Sequence, residues 1–304
     1  MDLSVSLGRL KLKNPVLTAS GTFGYGIEFQ DFGDLKKLGG IVVKGLSLNP
    51  KPGNPPPRIC ETPCGMLNSI GLQNIGIKRF IKEILPLLPW NETAVIVNIF
   101  SDNLEEFEKL AEIAAERKEI AAIEVNISCP NVKKGGVLFG QDPKIAEEVT
   151  KRVKLKAKDK PVIVKLTPNV QDIKIIAKAV ENGGADIISL INTVFGMAVD
   201  IYTRRPKLSN VFGGLSGPAI KPIALKLVYE VCQTVNIPVI GVGGITSAED
   251  VLEFILVGAF AVQIGSANFI DPYISFKIVE ELPKLVKKLK IKKWEDFRGS
   301  LLVK

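Results

Sequence analysis

One short segment combines residue types that could bind a small molecule and move a proton. The apolar run from Ile120 to Val125 is followed by Asn126, Ser128, Cys129 and Pro130. Pro130 ends any strand pairing. Polar groups packed against the end of a buried strand need hydrogen-bond partners, which a ligand could supply. A thiol, with an ordinary pKa of about 8.5, can transfer a proton near neutral pH. The alternative for Cys129 is a structural Cys buried beside a turn.

Composition narrows the chemistry. The 304 residues include no His, so proton transfer near neutral pH must use Cys, Lys, Asp, Glu or Tyr. The net charge of +8 comes from scattered basic residues without interleaved aromatics, so we expect no nucleic-acid binding. Four Cys predict neither a disulfide framework nor a zinc site. Without a signal peptide or an apolar run of about 18 residues, we expect a cytoplasmic protein that does not bind membranes.

Eight short apolar runs are typical of parallel strands buried on both faces. The runs cover residues 16–19, 40–43, 94–99, 121–125, 162–166, 187–191, 239–242 and 261–264. Helical patterns lie between them at 103–118, 144–153, 170–181, 222–235 and 248–257. This alternation predicts an α/β protein with one (β/α)8 TIM-barrel domain over residues 1–304, with a doubly wound sheet as the alternative. Alternating residues around Gly8-Arg9 predict a small N-terminal β-hairpin.

Three connections are too long for simple crossovers: 45–80, 130–140 and 193–218. Each leaves the carboxyl end of a predicted strand, which in a barrel is the face that carries active sites. Long loops in compact domains are usually functional. Gly135, Gly136 and Gly140 could act as hinges, so we expect residues 131–140 to form a lid over Cys129. The alternative is an ordinary surface loop.

The apolar runs end in amides, hydroxyls, lysines or glycines, which predicts a polar pocket. The set is Ser20, Lys44, Gly45, Asn98, Asn126, Lys165, Asn192, Thr193, Gly243, Gly244, Gly265 and Ser266. A strand Lys such as Lys165 is costly to bury without a partner, which is either an electron-rich ligand or a carboxylate on a neighbouring strand. Glycines after runs seven and eight suit a phosphate. Because the dinucleotide fingerprint is missing, a mononucleotide is favoured, and a Lys at mid-depth in the barrel suggests that it is FMN.

Together these motifs resemble the class 1 dihydroorotate dehydrogenases, FMN-containing barrels of pyrimidine biosynthesis. The resemblance spans nearly the whole chain, and its motifs lie at 14–21, 43–45, 66–74, 125–131, 164–168, 192–193, 243–245 and 265–266. Gln73 and the Lys-Lys-Gly-Gly run at 133–136 resemble the 1B type more than the fumarate-using 1A type. The 1B type implies a partner subunit that carries FAD and a 2Fe-2S cluster and passes electrons to NAD. It also implies a homodimer of barrels within a heterotetramer.

The resemblance implies oxidation of (S)-dihydroorotate to orotate in the de novo synthesis of UMP. Cys129 would remove the proton from C5, and FMN would take hydride from C6; no metal is implied in this chain. The implied substrate-binding residues are Lys44, Asn68, Ser69, Ile70, Gly71, Leu72, Asn126, Asn131, Asn192 and Thr193. The implied FMN-binding residues are Ser20, Lys44, Gly45, Asn98, Asn126, Lys165, Ile191, Gly217, Gly243, Gly244, Gly265 and Ser266.

Two other functions fit parts of this pattern. One is another FMN-dependent dihydropyrimidine dehydrogenase, acting on dihydrouracil or dihydrothymine. The residues around Lys44 and 68–72, which resemble a carboxylate-binding set, favour orotate instead. The other is a non-catalytic phosphate-binding barrel, against which Cys129 and Lys165 argue.

Overall fold

A closed barrel of eight parallel strands forms the centre of the molecule. The computed structural model describes residues 2–128 and 139–303. In chain order the barrel strands are Val16–Thr18, Gly40–Val42, Ala94–Ile99, Ala122–Asn126, Val162–Leu166, Ile187–Leu190, Val239–Val242 and Ala261–Ile264. Each strand pairs with the next, and the eighth pairs with the first. The (β/α)8 prediction is therefore confirmed, and closure excludes the doubly wound sheet.

Helices surround the barrel and bury their apolar faces against it. The longer ones are Leu104–Ala115, Pro143–Lys156, Ile173–Asn182, Lys221–Cys232, Ala248–Leu256 and Ile274–Lys288. The side chains of Asn103, Asp142, Asp172 and Ser247 each accept a backbone N–H at a helix start, which fixes where those helices begin. Five of the six were predicted within a few residues. Ile274–Lys288, which follows the last strand, was not predicted.

Shorter helical segments complete the connections. They are Ile27–Phe29, Leu35–Lys37, Ile77–Arg79, Phe80–Ile84, Leu85–Leu87, Pro218–Ile220, Ala267–Ile270 and Trp294–Phe297. The predicted N-terminal hairpin is present, with Val5–Leu7 antiparallel to Leu10–Leu12. Gly8 turns the chain with φ of 62°, a conformation that favours glycine.

Two of the long connections fold together into a small sheet that the sequence did not predict. Its antiparallel strands are Ile59–Thr62, Gly65–Asn68, Phe212–Ser216 and Val194–Met197, in that spatial order. We call it the loop-built sheet, because its strands come from the connections after the second and sixth barrel strands. A further short ladder joins Val199–Asp200 to Arg205–Pro206.

Within residues 2–128 and 139–303, no helix is both long enough and apolar enough to span a lipid bilayer.

Candidate active site

The carboxyl ends of the fourth, fifth and sixth barrel strands are held together by polar contacts. Asn126 lies opposite Lys165 in the pairing of two strands, and Ser128 Oγ donates to the backbone oxygen of Lys165 at 3.1 Å. Asn192 Nδ2 donates to Asn126 Oδ1 at 3.4 Å. The structure thus brings together three of the side chains that the sequence assigned to ligand binding.

A buried polar network crosses the barrel interior below these ends. We call it the Glu124 network, and it consists of Asn98, Glu124, Lys165, Ser189 and Gln263. Glu124 is fully buried and accepts hydrogen bonds from Asn98 Nδ2 at 2.7 Å, Ser189 Oγ at 2.9 Å and Gln263 Nε2 at 2.6 Å. Lys165 Nζ lies 3.8 Å from Glu124 Oε1 and donates to Gln263 Oε1 at 3.3 Å. The network links five of the eight strands.

Lys165 is buried, as the sequence predicted, and it has the carboxylate neighbour that was the alternative to a ligand. Glu124 supplies that carboxylate from the adjacent strand. Sequence reasoning missed Glu124 because it was read as part of an apolar run. Glu124 could have been found by the same signal that identified Lys165, namely a charged residue inside a buried strand.

Asn98 provides a test of whether a flavin fits this site. Its Nδ2 is held by Glu124, so its Oδ1 is directed elsewhere. Among the described residues, that buried oxygen has no hydrogen-bond partner, and such orphaned groups are rare in native proteins. A Cβ on Gly45 would lie 2.9 Å from the same oxygen. An acceptor and a Lys ammonium together suit the pyrimidine edge of a flavin, which carries both N–H and C=O groups.

The glycines at the ends of the seventh and eighth strands were predicted to bind a phosphate. Gly243 and Gly244 have φ values of 136° and 69°, where L side chains are strained. A Cβ on Gly244 would lie 2.9 Å from the backbone oxygen of Gly217. Only glycine fits there, and it leaves the backbone accessible to phosphate oxygens.

The remaining predicted cofactor residues border the same strand ends. Strand eight pairs with strands seven and one, which brings Gly265 and Ser266 beside the neighbouring strand ends. Ala19 donates its N–H to the oxygen of Ile264 at 2.8 Å, which places Ser20 next to Gly265 along this edge. Ile191 is buried and donates its N–H to the oxygen of Val242 at 2.9 Å.

Lys44 follows the second strand and is half-buried. Burial lowers the pKa of its ammonium, and the nearby Arg58 lowers that pKa further, while Glu28 opposes them. A half-buried cation whose pKa is lowered by burial is suited to an anionic ligand.

The predicted substrate residues 68–72 and Thr193 belong to the loop-built sheet or adjoin it. Asn68 Nδ2 donates to the oxygen of Gly214 at 3.3 Å. A Cβ on Gly214 would lie 2.0 Å from Thr193 Oγ1, so Asn68 and Thr193 approach the same glycine from two connections.

The loop after Asn68 has an unusual backbone. Gly71 and Leu72 have φ values of 73° and 58°, and the second is uncommon for a residue with a side chain. Asn74 Nδ2 holds this turn by donating to the oxygen of Leu72 at 2.9 Å. Ser69 Oγ is buried and has no partner within the described part of the chain. Strained backbone and unpaired polar atoms concentrate at ligand sites.

Cys129 and Asn131 lie outside the described residues, as does the predicted lid up to residue 138. The segment that follows is described. Phe139 packs edge-on against Phe107, with ring centroids 5.7 Å apart, and a Cβ on Gly140 would lie 2.8 Å from the oxygen of Ile127.

Fold and site together define a class of protein, a (β/α)8 barrel with buried polar groups and glycines of positive φ at the carboxyl ends of its strands. Comparison with known proteins gives the family. Residues 2–286 match the family described as dihydroorotate dehydrogenase, and the chain belongs to that family.

Similar proteins match over nearly their full lengths. "Dihydroorotate dehydrogenase B (NAD(+)), catalytic subunit" of Solidesulfovibrio magneticus is 60% identical over 303 residues, covering 100% of this chain and 99% of the relative. The protein of the same description from Maridesulfovibrio salexigens is 59% identical over 301 residues, 99% of each chain. That from Thermoanaerobacter pseudethanolicus is 55% identical over 303 residues, 100% of each chain. The predicted resemblance to the B type is thereby confirmed.

Proposed function

We propose that this chain is the catalytic barrel of an NAD-linked dihydroorotate dehydrogenase that oxidises (S)-dihydroorotate to orotate in pyrimidine biosynthesis. The observation that carries the proposal is the family match over residues 2–286. The relatives of the same length are described as catalytic subunits of dihydroorotate dehydrogenase B. Neither the fumarate-using type nor a dihydrouracil enzyme is favoured by these relatives.

FMN is the cofactor we assign to the barrel. Lys165, Asn98 and Lys44 would hold its polar ring edge, with Gly45, Asn126 and Ile191 beside them. The phosphate would be bound by backbone and hydroxyl groups at Ser20, Gly217, Gly243, Gly244, Gly265 and Ser266. When bound, FMN supplies the acceptor for the hydride that leaves C6 of the substrate.

Cys129 is the residue we assign as the base that removes the proton from C5. Loss of that proton and of the C6 hydride converts the C5–C6 single bond of dihydroorotate into the C5–C6 double bond of orotate, which is a two-electron oxidation. The side chains of Asn68, Asn126, Asn131, Asn192 and Thr193 would hydrogen-bond the ring amides and carboxylate. Lys44 would neutralise the carboxylate, and residues 69–72 would close around it.

A partner subunit completes the proposed enzyme. The description of the relatives as catalytic subunits supports a second kind of chain. We propose that the partner subunit carries FAD and a 2Fe-2S cluster and delivers the electrons to NAD. We also propose that the protein is located in the cytoplasm.

The loop-built sheet supports a contact between two copies of the barrel. The sheet exposes Ile59, Phe195, Met197 and Phe212, each about half accessible or more, and Met197 pairs with Phe212 across two strands. Large exposed apolar patches mark interaction surfaces. We propose that a second copy covers this patch, and Phe212→Lys should shift the protein from dimer to monomer in light scattering.

The function is tested on the purified chain under anaerobic conditions. We expect a yellow protein that releases FMN on denaturation and whose flavin absorbance bleaches with dihydroorotate but not with dihydrouracil. Added NAD should reoxidise it only when the partner subunit is present, and fumarate should not. A flavin-free protein, or bleaching by dihydrouracil alone, would contradict the proposal.

A further inference from the structure

The two carboxylate oxygens of Glu124 are shared between different partners. Oε1 accepts from Asn98 and lies toward Lys165, whereas Oε2 accepts from Ser189 and Gln263. An ionised carboxylate only accepts hydrogen bonds. Both amides must therefore turn their nitrogens toward Glu124.

This requirement fixes what each amide presents on its other side. Asn98 must turn its Oδ1 away from Glu124, where it is the buried acceptor without a partner among the described residues. Gln263 must turn its Oε1 toward Lys165, whose Nζ donates to it at 3.3 Å. One carboxylate thus orients an acceptor and holds a cation, and both were assigned to the polar edge of the flavin.

Glu124 also sets the charge of this part of the barrel. Lys165 and Glu124 are both buried, with side chains 6% and 0% exposed, so water screens their charges little. Within the network they are the two charged groups, and their charges offset each other. Any negative charge gained by a nearby group during reduction is repelled by Glu124 and attracted by Lys165.

We propose that Glu124 is a positioning residue that orients Asn98 and Lys165 for the flavin and lowers the flavin's reduction potential. The inference rests on the proposed function. Glu124 itself has no surface exposure and acts through its neighbours. Lys165 then stabilises the negative charge of the reduced flavin, and the carboxylate of Glu124 opposes that stabilisation.

The test is the midpoint potential of the bound flavin in Glu124→Gln, measured by redox titration against wild type. Removal of the negative charge should favour reduction at least tenfold, which for a two-electron couple is an upward shift of about 30 mV or more. Ser189→Ala is the matched control, because it removes one hydrogen bond to Glu124 and no charge. The Ser189→Ala variant should have lower thermal stability and an unchanged reduction potential.

A second pair of variants covers the case in which Glu124→Gln does not fold. Removing one member of a buried ion pair is strongly destabilising because it leaves an unpaired buried charge, and removing both members avoids that cost. The double variant Glu124→Gln/Lys165→Met should therefore fold and have a higher potential than Lys165→Met alone.

The outcomes separate this inference from the function on which it rests. If the wild-type chain binds no FMN, the proposed function fails. If it binds FMN and the Glu124 variants show an unshifted or lowered potential, the positioning role is overturned and the function stands. An equal shift in Ser189→Ala would likewise overturn it, because a general packing effect would then explain the change.

Discussion

The barrel interior and the loop-built sheet position ligand-binding residues in different ways. In the barrel, Asn98 and Lys165 are held by ladder pairing and by the Glu124 network. In the loop-built sheet, Asn68 and its neighbours are positioned by the pairing of two long connections that are far apart in sequence. The candidate cofactor residues are mostly in the first region, and the candidate substrate residues 68–72 lie at the edge of the second.

Under the proposed function, this division separates two tasks on one scaffold. Strand ends are rigid and suit a cofactor that stays bound, whereas loops can vary and suit substrate selection. If the division is correct, changes in the barrel should alter flavin properties and stability. Changes in the loop-built sheet should alter substrate affinity and leave the flavin unchanged.

The largest effect is expected for the chemical step itself. Cys129→Ala should slow flavin reduction by dihydroorotate roughly 10²–10⁴-fold, the usual contribution of a positioned base, while FMN stays bound. Stopped-flow absorbance measures the rate. Cys60→Ala, in the loop-built sheet, is the matched cysteine control and should react at the wild-type rate. Unchanged reduction in Cys129→Ala would show that the base lies elsewhere.

Lys165→Met should affect both stability and flavin chemistry. It leaves Glu124 buried without its counter-charge, and breaking such a pair lowers the free energy of unfolding by roughly 3–5 kcal/mol. It should also lower the flavin's reduction potential and slow its reduction. Urea unfolding of the apoprotein measures the first effect, and redox titration the second. A destabilised variant with an unshifted potential would show that Lys165 is only a structural ion-pair residue.

Asn68→Ala probes the other region. Loss of a hydrogen bond to a charged ligand group is worth roughly 1.5–3 kcal/mol, so orotate should bind at least about tenfold more weakly. The potential of the flavin should stay at the wild-type value. Orotate titration of the flavin spectrum measures the affinity, and redox titration measures the potential. A shifted potential in this variant would break the separation between the two regions.

A smaller effect is expected from pH. Burial, with Arg58 adding to it and Glu28 opposing it, lowers the pKa of Lys44 below the ordinary 10.5. Orotate affinity should therefore decline as pH rises through this lowered pKa, earlier than for an exposed Lys. Between the lowered pKa and 10.5 the unfolded chain binds more protons at this position, so this group makes apoprotein stability rise with pH.

Lys44→Arg is the control for that pH dependence, because an Arg side chain keeps its charge throughout the range. In this variant the alkaline decline of orotate affinity should disappear. A decline that persists would assign the titration to another group.

Local sequence determined much of the barrel. Runs of β-branched and other apolar residues, separated by helical periodicity, are signals that each segment carries by itself, and all eight predicted strands form. The polar residue that ends each run could be found in the same way, since strand polarity alone puts those residues at one end of a parallel barrel. Cys129 and Lys165 were singled out on this basis.

Tertiary structure decided what depends on partners distant in the chain. Glu124 looks like an interruption in an apolar run until folding places it beside Lys165, Ser189 and Gln263, which are 41, 65 and 139 positions away. The loop-built sheet likewise pairs Asn68 with Gly214, a register that neither segment specifies alone. Side-chain orientation and long-range pairing are set by which groups can satisfy one another once water is excluded, and only the folded chain determines that.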